Sequence, residues 1–383
     1  MKITALIKAP AIVAALLSGV IATGVAEAQS RFFGYYANNG YIEENHDHTT
    51  VTQIWASYAD RNTATSVIMQ ELAQAKARGI KAIVGVESFV FDVGSSGNAS
   101  CPFRQQNSAS THWNTFVNAL VSNGYLVPNN PGASTIAAFY PVDEPELCGL
   151  TDSSGQAHAA LRHAVNTIRN HPYTSNFPLA VLASKKYGNA QKGIQLFDWA
   201  GLDNYSVSTS EYLSQFATFE SRLLGHQRSI LVPQASQGGF MSSYGSWHQP
   251  QPIIDHFLSN PRAIGLMPFL WGHHDTTGVR GIPELREAYS GIGKHIKLGT
   301  PLPLRAALGC WGSGGLFECQ ASAQYGVPPY TYTWNTQQGF GDFAVYHTMC
   351  GYPYLATVTV RDSAGNQVTR NTTLNCPIGS QPR

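Results

Sequence analysis

Residues 64–86, ATSVIMQELAQAKARGIKAIVGV, contain a helical segment that is followed at once by a short apolar segment. The segment Ala64–Arg78 has apolar residues at helical spacing with charged residues between them, which predicts a surface helix. The segment that starts at Ile80 is almost continuously apolar, which is typical of a strand buried on both faces of a parallel sheet. A unit of this kind indicates an α/β protein.

The same alternation recurs on both sides of this stretch. It predicts eight short strands, at Phe32–Tyr36, Val51–Trp55, Ile80–Phe91, Ile136–Tyr140, Leu179–Ala183, Trp199–Asn204, Ser229–Pro233 and Ala263–Trp271. Helical patterns lie between several of them, at Ala64–Arg78, His112–Asn123, Gly155–Asn170, Glu211–Leu224 and Pro283–Leu298. Eight such units predict an α/β fold of the (β/α)8 TIM-barrel type. A doubly wound sheet is the alternative, but no Gly-rich phosphate-binding loop follows the first strand.

The composition changes after Leu298. Residues 299–306 begin with GTPLP and predict a linker, and residues 307–383 lose the helical periodicity. Five strand-like segments with turns between them predict a small all-β sandwich here: Phe317–Ala323, Tyr330–Trp334, Phe343–His347, Tyr354–Arg361 and Val368–Asn375. The segments PPYTYTW (328–334) and VTVRDSAG (358–365) resemble the immunoglobulin-like and PKD-type modules of bacterial extracellular enzymes. That resemblance implies a spacing or stabilising module, or one that binds substrate through exposed aromatic rings.

The first 28 residues have the pattern of a cleavable signal peptide. Two lysines precede an apolar run, and Ala-Glu-Ala at 26–28 provides the small residues of a cleavage site. We expect a secreted or periplasmic protein whose mature chain starts at Gln29, with the barrel at 29–298. An uncleaved membrane anchor is the alternative, but Pro and Gly interrupt the run, which is short for a membrane span.

Export also suggests a role for the cysteines, which are even in number and have no CxxC spacing. In an oxidising compartment such a set predicts disulfide bonds. Cys101 and Cys148 flank a long excursion, and a bond between them would hold the loop at 94–100 beside Glu144. The four C-terminal cysteines permit three pairings.

The charge balance excludes several classes of partner. The chain has 24 Lys and Arg against 23 Asp and Glu, a formal charge of +1, and loss of residues 1–28 brings this to zero. Binding to nucleic acid or to an anionic membrane needs an excess of basic residues, so neither partner is expected. The 43% hydrophobic content argues against disorder. We expect a monomer that handles neutral ligands and inserts into no membrane.

Polar and aromatic residues follow the predicted strands at their carboxyl ends, where barrel active sites are built. The candidate binding residues among them are Tyr36, Asn38, Trp55, Glu87, Asn204, Tyr205, Gln234 and Trp271. Aromatic faces stack on the C–H faces of sugars, and amides and carboxylates bind hydroxyl groups. The set therefore indicates a carbohydrate as the partner.

The strongest motif is Asp143-Glu144-Pro145, directly after the fourth strand. Two carboxyl groups in one pocket repel each other, which raises the pKa of one so that it can remain a proton donor. The arrangement resembles glycoside hydrolase barrels, many of which have their acid/base in an Asn-Glu-Pro or Asp-Glu-Pro element at this strand. The resemblance implies that Glu144 is the proton donor of a hydrolase that uses no cofactor.

The seventh strand departs from the pattern of the largest clan of these barrels. A retaining enzyme of that clan has a glutamate there, whereas this chain has Gln234, which cannot act as a carboxylate nucleophile. One hypothesis is that Asp143 orients a 2-acetamido group of the substrate as internal nucleophile, as in barrel N-acetylhexosaminidase-like families. By that resemblance Tyr205 hydrogen-bonds the acetamido oxygen and Trp271 forms the floor of the sugar subsite.

Other hypotheses stay open. Asp203 or Glu87 is the second carboxylate, or the barrel binds glycans without catalysis. The segments His-Asp-His at 46–48 and His-His-Asp at 273–275 raise the alternative of a metal-dependent deacetylase or amidohydrolase. Residues 46–48 lie just before the second strand, at the rim opposite the expected site, so we expect no metal.

Overall fold

The computed structural model describes residues 31–56, 60–93, 103–151, 157–184, 191–313, 315–349 and 352–375. The predicted signal peptide lies outside these ranges. Within them, no helix combines the length and the apolar character that a membrane-spanning helix requires.

The part before residue 299 alternates between strands and helices. Its strands are β1 Phe32–Phe33, β2 Val51–Ile54, β3 Lys81–Gly85, β4 Phe91–Val93, β5 Phe103–Gln105, β6 Ile136–Tyr140, β7 Ala180–Ser184, β8 Trp199–Asp203, β9 Arg228–Val232 and β10 Ala263–Leu266. Its helices are α1 Ile42–Asn45, α2 Arg61–Ala77, α3 Glu87–Val90, α4 Ala109–Ser122, α5 Ala159–Arg169, α6 Gln191–Ile194, α7 Thr209–Glu220, α8 Pro250–Ser259 and α9 Pro283–Leu298. The α/β class is thereby confirmed.

Eight parallel strands form two sheets, with the orders β2-β3-β6 and β1-β10-β9-β8-β7. A few contacts join the sheets at both junctions. Phe139 on β6 pairs with Leu179 at the first, and Thr50 N donates to Phe33 O over 2.8 Å at the second. The strands thus follow one another in the order of a barrel, but the described ladders do not close into one, so the (β/α)8 TIM-barrel classification stays a prediction. At the second junction the hydroxyl of Thr50 binds the backbone N–H of Phe33, so a side chain takes the place of a ladder bond.

Two apolar clusters separate the interior of the strands from the layer beneath the helices. Successive side chains of a strand point to opposite faces, so Tyr35 lies in the outer cluster whereas Tyr36 lies in the inner cluster. Tyr140 also belongs to the inner cluster. This alternation decides which side chains can reach the rim of the strands.

Two local predictions differ from the structure. The apolar run Ile80–Phe91 is β3 followed by the helical turn α3, because continuous burial does not distinguish a strand from a buried helical turn. Helix α8 was not among the predicted helices; it begins at Pro250, and proline is favoured at the first helical position.

The C-terminal part is all-β. Its strands are β11 Arg305–Ser313, β12 Leu316–Gln324, β13 Thr331–Trp334, β14 Gly339–Phe340, β15 Phe343–His347, β16 Tyr354–Arg361 and β17 Gln367–Leu374. They form two antiparallel sheets, β11-β12-β15-β14 and β13-β16-β17. The prediction of an all-β region is confirmed, and the missed strand β11 begins within the predicted linker. The immunoglobulin-like classification and the domain boundaries stay predictions.

The described disulfide bond joins Cys310 on β11 to Cys319 directly opposite on β12. Cys148 is also disulfide-bonded. Cys101 lies outside the described residues, so the pairing of Cys101 with Cys148 remains a prediction.

Candidate active site

Two carboxyl side chains from different strands meet at the carboxyl ends of β6 and β8. Glu144 follows β6, and Asp203 is the last residue of β8. A side-chain hydrogen bond joins the two groups. Burial raises the pKa of Asp203 well above its usual range, and the charges of Glu144 and Asp143 raise it further. Because two adjacent carboxyl groups do not both ionise readily, the pair holds one proton more tightly than an isolated carboxyl group does.

Asp143 lies beside this pair and is held by two phenols. Tyr36 and Tyr140 donate hydrogen bonds to its Oδ1 over 3.0 and 2.5 Å, and their hydroxyls are 3.1 Å apart. Burial raises the pKa of Asp143, whereas the phenols and the backbone N–H of Glu144 act to lower it. Asp203 receives no comparable stabilisation from phenols, so we infer that Asp143 ionises before Asp203.

The backbone at this rim is strained. Glu144 has φ +38°. Ala37, in the loop after β1, has φ +51°, and Ser206, directly after Tyr205, has φ +69°. The left-handed region costs a residue with a side chain about 1–2 kcal/mol, and such strain clusters at functional sites. Turns rather than a helix follow Asp143, and α5 starts only at Ala159, so the carboxyl group of Asp143 does not cap a helix.

Glu146 is a further acid of the site that the sequence analysis did not select. It is buried, and its Oε1 accepts a hydrogen bond from the backbone N–H of Ser184 at the end of β7. Burial raises its pKa to about 7, and the charge of Glu144 contributes. Its position two residues after Glu144 was the signal in the sequence. It links the acid-bearing loop after β6 to the neighbouring strand.

Glu87 is the most deeply buried carboxyl group near the site. It is 1% exposed at the start of α3, and neither carboxyl oxygen has a hydrogen-bond partner among the described residues. Burial raises its pKa to about 8, and the charge of Asp143 contributes. Glu87 is therefore mainly protonated at neutral pH.

We expect the free energy of unfolding to fall between pH 5 and pH 8 in the parent protein and to fall less in Glu87→Gln. A carboxyl whose pKa is raised by folding binds a proton in the folded state only, so its contribution destabilises the protein as the pH rises from about 4.5 to about 8. Urea unfolding at both pH values measures the change, which should be on the order of a few kcal/mol. Parallel pH profiles for the variant and the parent protein would contradict the assignment.

Tyr205 lies among the carboxyl groups. Its hydroxyl is buried and has no hydrogen-bond partner in the described part of the chain. Burial raises its pKa, and the charges of Asp203, Asp143 and Glu144 raise the pKa further. Its hydroxyl consequently has an unsatisfied hydrogen-bonding capacity within the described part of the chain.

The aromatic residue beside Tyr205 is Phe269 and not the predicted Trp271. The rings of Tyr205 and Phe269 stack with centroids 5.1 Å apart. Trp271 is 5% exposed in the outer cluster, where it packs on Tyr35 and donates to Glu44 over 2.9 Å. Trp271 therefore does not form the floor of the sugar subsite as predicted, because it faces the outer layer whereas Phe269 faces the interior of the strands.

Trp55 lies closer to the site, with its ring centroid 6.2 Å from that of Tyr36. The predicted amides are bonded within the protein. Asn38 binds Asn45 and Thr52, and Asn204 donates to Gln215. Their side chains therefore support the rim.

Gln234 is also bonded within the protein. Its Oε1 accepts from Ser206 N over 3.2 Å, and its Nε2 donates to Ser236 O over 3.2 Å. Gln234, which stands where a retaining enzyme of the largest clan has its nucleophilic glutamate, thus joins the loops after β8 and β9.

The histidine motifs lie in different environments. His48 contacts Asp47 and the hydroxyl of Tyr35 in the outer layer. Within the described ranges, only His273, His274 and Asp275 place three possible ligand atoms within 4.8 Å of one another. The acids around Glu144 do not form such a group there. The expectation that the site uses no metal stays a prediction.

The fold and the site together define an α/β protein of parallel strands with carboxyl groups clustered at the strand ends. No protein-family model matches the chain, and no curated protein matches its sequence.

Among solved structures, the chain has weak similarity to several glycosidases, each with a TM-score below 0.5. An FMN-binding β-glucuronidase from Facaelibacterium prausnitzii is 10% identical with a TM-score of 0.46, over 92% of this chain and 57% of that chain. A GH113 β-1,4-mannanase is 12% identical with a TM-score of 0.40, over 68% and 98% of the two chains. A β-galactosidase from the psychrophilic Marinomonas ef1 is 9% identical with a TM-score of 0.47, over 70% and 59%. The present chain spans just over half the length of the first and the third.

Proposed function

We propose that this protein is a secreted or periplasmic glycoside hydrolase with a (β/α)8-type catalytic barrel and an appended immunoglobulin-like module. The observation that supports this most directly is the hydrogen-bonded pair of Glu144 and Asp203, which retains a proton beside aromatic rings. Cleavage of a glycosidic bond needs a retained proton for the leaving oxygen. Glu144 is the proton donor.

The contact between the two acids bears on the mechanism. Direct hydrolysis by two carboxyl groups needs them about 5–5.5 Å apart for retention, or about 6.5–9.5 Å apart for inversion. Glu144 and Asp203 are joined by a side-chain hydrogen bond, so the two carboxyl groups share a proton. Because a carboxyl group that shares a proton is a poor nucleophile, we propose a substrate-assisted route in which Asp203 shares the proton of Glu144 and does not attack the sugar.

In this route a 2-acetamido oxygen of the substrate attacks the anomeric carbon while Glu144 transfers its proton to the leaving oxygen. The glycosidic bond breaks and a cyclic intermediate forms. Asp143 orients the acetamido N–H and stabilises its developing positive charge, and the hydroxyl of Tyr205 donates to the acetamido oxygen. Water then opens the ring as Glu144, now a carboxylate, accepts a proton from it.

Hydrolysis of matched glycans with and without the 2-acetamido group tests this function. We expect release of sugar from the N-acetylated polymer and little from the unsubstituted one. Equal rates would favour direct attack by a carboxyl group, for which Asp203 is the candidate after a change of its position. No hydrolysis of any glycan would overturn the assignment as an enzyme of this class.

The hydrogen bonds from Tyr36 and Tyr140 to Asp143 predict how the pH dependence of kcat/KM should respond to loss of one phenol. Tyr36→Phe removes a hydrogen bond that lowers the pKa of Asp143, so the pKa should rise. A hydrogen bond to a charged group is worth about 1.5–3 kcal/mol, or roughly one pH unit or more. We expect the acidic limb of kcat/KM against pH to move to higher pH by about one unit. In the matched control, Tyr35→Phe, the limb should stay in place, because that phenol binds His48.

A further inference from the structure

A row of aromatic rings continues outward from the candidate active site. The ring of Phe269 lies 5.1 Å from Tyr205 and 6.1 Å from Phe240, and the ring of Tyr244 lies 5.8 Å from Tyr205. We call these four residues the aromatic platform. Phe240 and Tyr244 lie on the 3-10 helix Gly239–Tyr244 after β9 and are 44% and 37% exposed. The platform thus extends from the carboxyl groups to solvent.

The exposed rings are held in place by the surrounding loops. Gln237 and Thr277 exchange two backbone hydrogen bonds of 2.9 Å, which ties the segment to the loop after β10. Gly239 has φ +51°, and a Cβ there would lie 1.9 Å from Asp275 O, so the backbones approach as only glycine allows. Met241, between the two exposed aromatic residues, is buried. The exposure of Phe240 and Tyr244 is therefore a feature of an anchored surface.

The edge of the platform is polar. The ring of His273 lies 5.1 Å from that of Phe240, and its Nδ1 is 2.5 Å from Asp275 Oδ1. Apolar ring faces bordered by hydrogen-bonding groups suit a sugar, which has C–H faces and hydroxyl edges. A fixed, exposed apolar surface that continues from a catalytic site marks a place where ligand binds.

We propose that the aromatic platform binds the sugar units beyond the cleaved bond, so that the substrate is an extended glycan chain. This inference rests on the proposed function. Phe240 and Tyr244 contact the distant units, and Tyr205 and Phe269 lie next to the bond that Glu144 protonates. A surface for a protein partner or for a second copy of this chain would not need to begin beside the carboxyl groups of the active site, as the aromatic platform does.

The test compares Phe240→Ala and Tyr244→Ala on a soluble N-acetylated glycan polymer and on an aryl glycoside of the same sugar. An aromatic contact is worth up to about tenfold in affinity. We expect kcat/KM on the polymer to fall about tenfold more than on the aryl glycoside for each variant. Tyr173→Ala, a similarly exposed aromatic residue before β7, is the control and should change neither rate.

Binding separates failure of this inference from failure of the proposed function. If the parent protein hydrolyses no glycan but Phe240→Ala weakens its retention in a gel that contains the polymer, the platform stands and the enzymatic function falls. If hydrolysis occurs and both variants keep the polymer-to-aryl ratio of the parent, the platform assignment is overturned. It is also overturned if the variants only dissociate a dimer in size-exclusion chromatography.

Discussion

Glu144→Gln should reduce glycan hydrolysis by about 10²–10⁴-fold while it leaves binding intact. Glutamine has the shape of glutamate but cannot transfer a proton to the leaving oxygen. The amide side chain should still form a hydrogen bond with Asp203, so the strand ends around the site should keep their geometry. Turnover of the N-acetylated polymer and retention of the variant in a polymer-containing gel measure the two properties separately.

Glu211→Gln is the matched control for this prediction. Glu211 is exposed on α7, where it accepts a hydrogen bond from Gln215 over 3.0 Å. The same chemical change there should leave turnover unaltered. If Glu144→Gln kept more than a tenth of the parental rate, Glu144 could not be the principal proton donor.

Asp203→Asn should lower kcat by about 10²–10³-fold, because it removes the group that shares the proton of Glu144. The variant should also change the pH profile. The pair titrates as a unit with two apparent pKa values, and the second proton is held between two carboxyl groups. With one carboxyl left, that extra retention is lost, so we expect the alkaline limb of kcat to move to lower pH.

Asp198→Asn provides the control on the same strand. Asp198 lies before the first residue of β8, at the opposite end from Asp203, and accepts hydrogen bonds from Arg169 and Leu179 N. Its replacement should lower stability without altering the pH profile of the remaining activity. An unchanged pH profile for Asp203→Asn would show that the two acids do not share a proton in catalysis.

Much of the fold could be predicted from the periodicity of the chain. Ile136–Tyr140 and Pro283–Leu298 have the bounds that their patterns predict. These segments have unambiguous ends, with Pro141 after the strand and Pro283 at the helix start. Where apolar burial continues past a strand, as from β3 into α3, periodicity could not distinguish the two elements.

The candidate acids were also predictable, since strand ends in an α/β protein point to one rim. That rule predicts the positions of Asp143, Glu144 and Asp203 at strand ends, whereas the role of Glu144 as proton donor rests on the resemblance to glycoside hydrolase barrels and stays a prediction. Trp271 shows the limit of this rule. Beyond the end of a strand, the local backbone decides the direction in which a side chain points. In this loop the rim position belongs to Phe269, two residues earlier.

The sequence by itself determined the order of the strands and the kinds of side chain at their ends, because both follow from local periodicity. Only the tertiary structure decided which of those side chains meet. The contact of Glu144 with Asp203 joins residues 59 positions apart, and it depends on β6 and β8 lying at the same rim and on the left-handed backbone of Glu144. Burial then raises the pKa of Asp203, because a low-dielectric surrounding disfavours its charge. That is a property of packing, which the order of residues does not display.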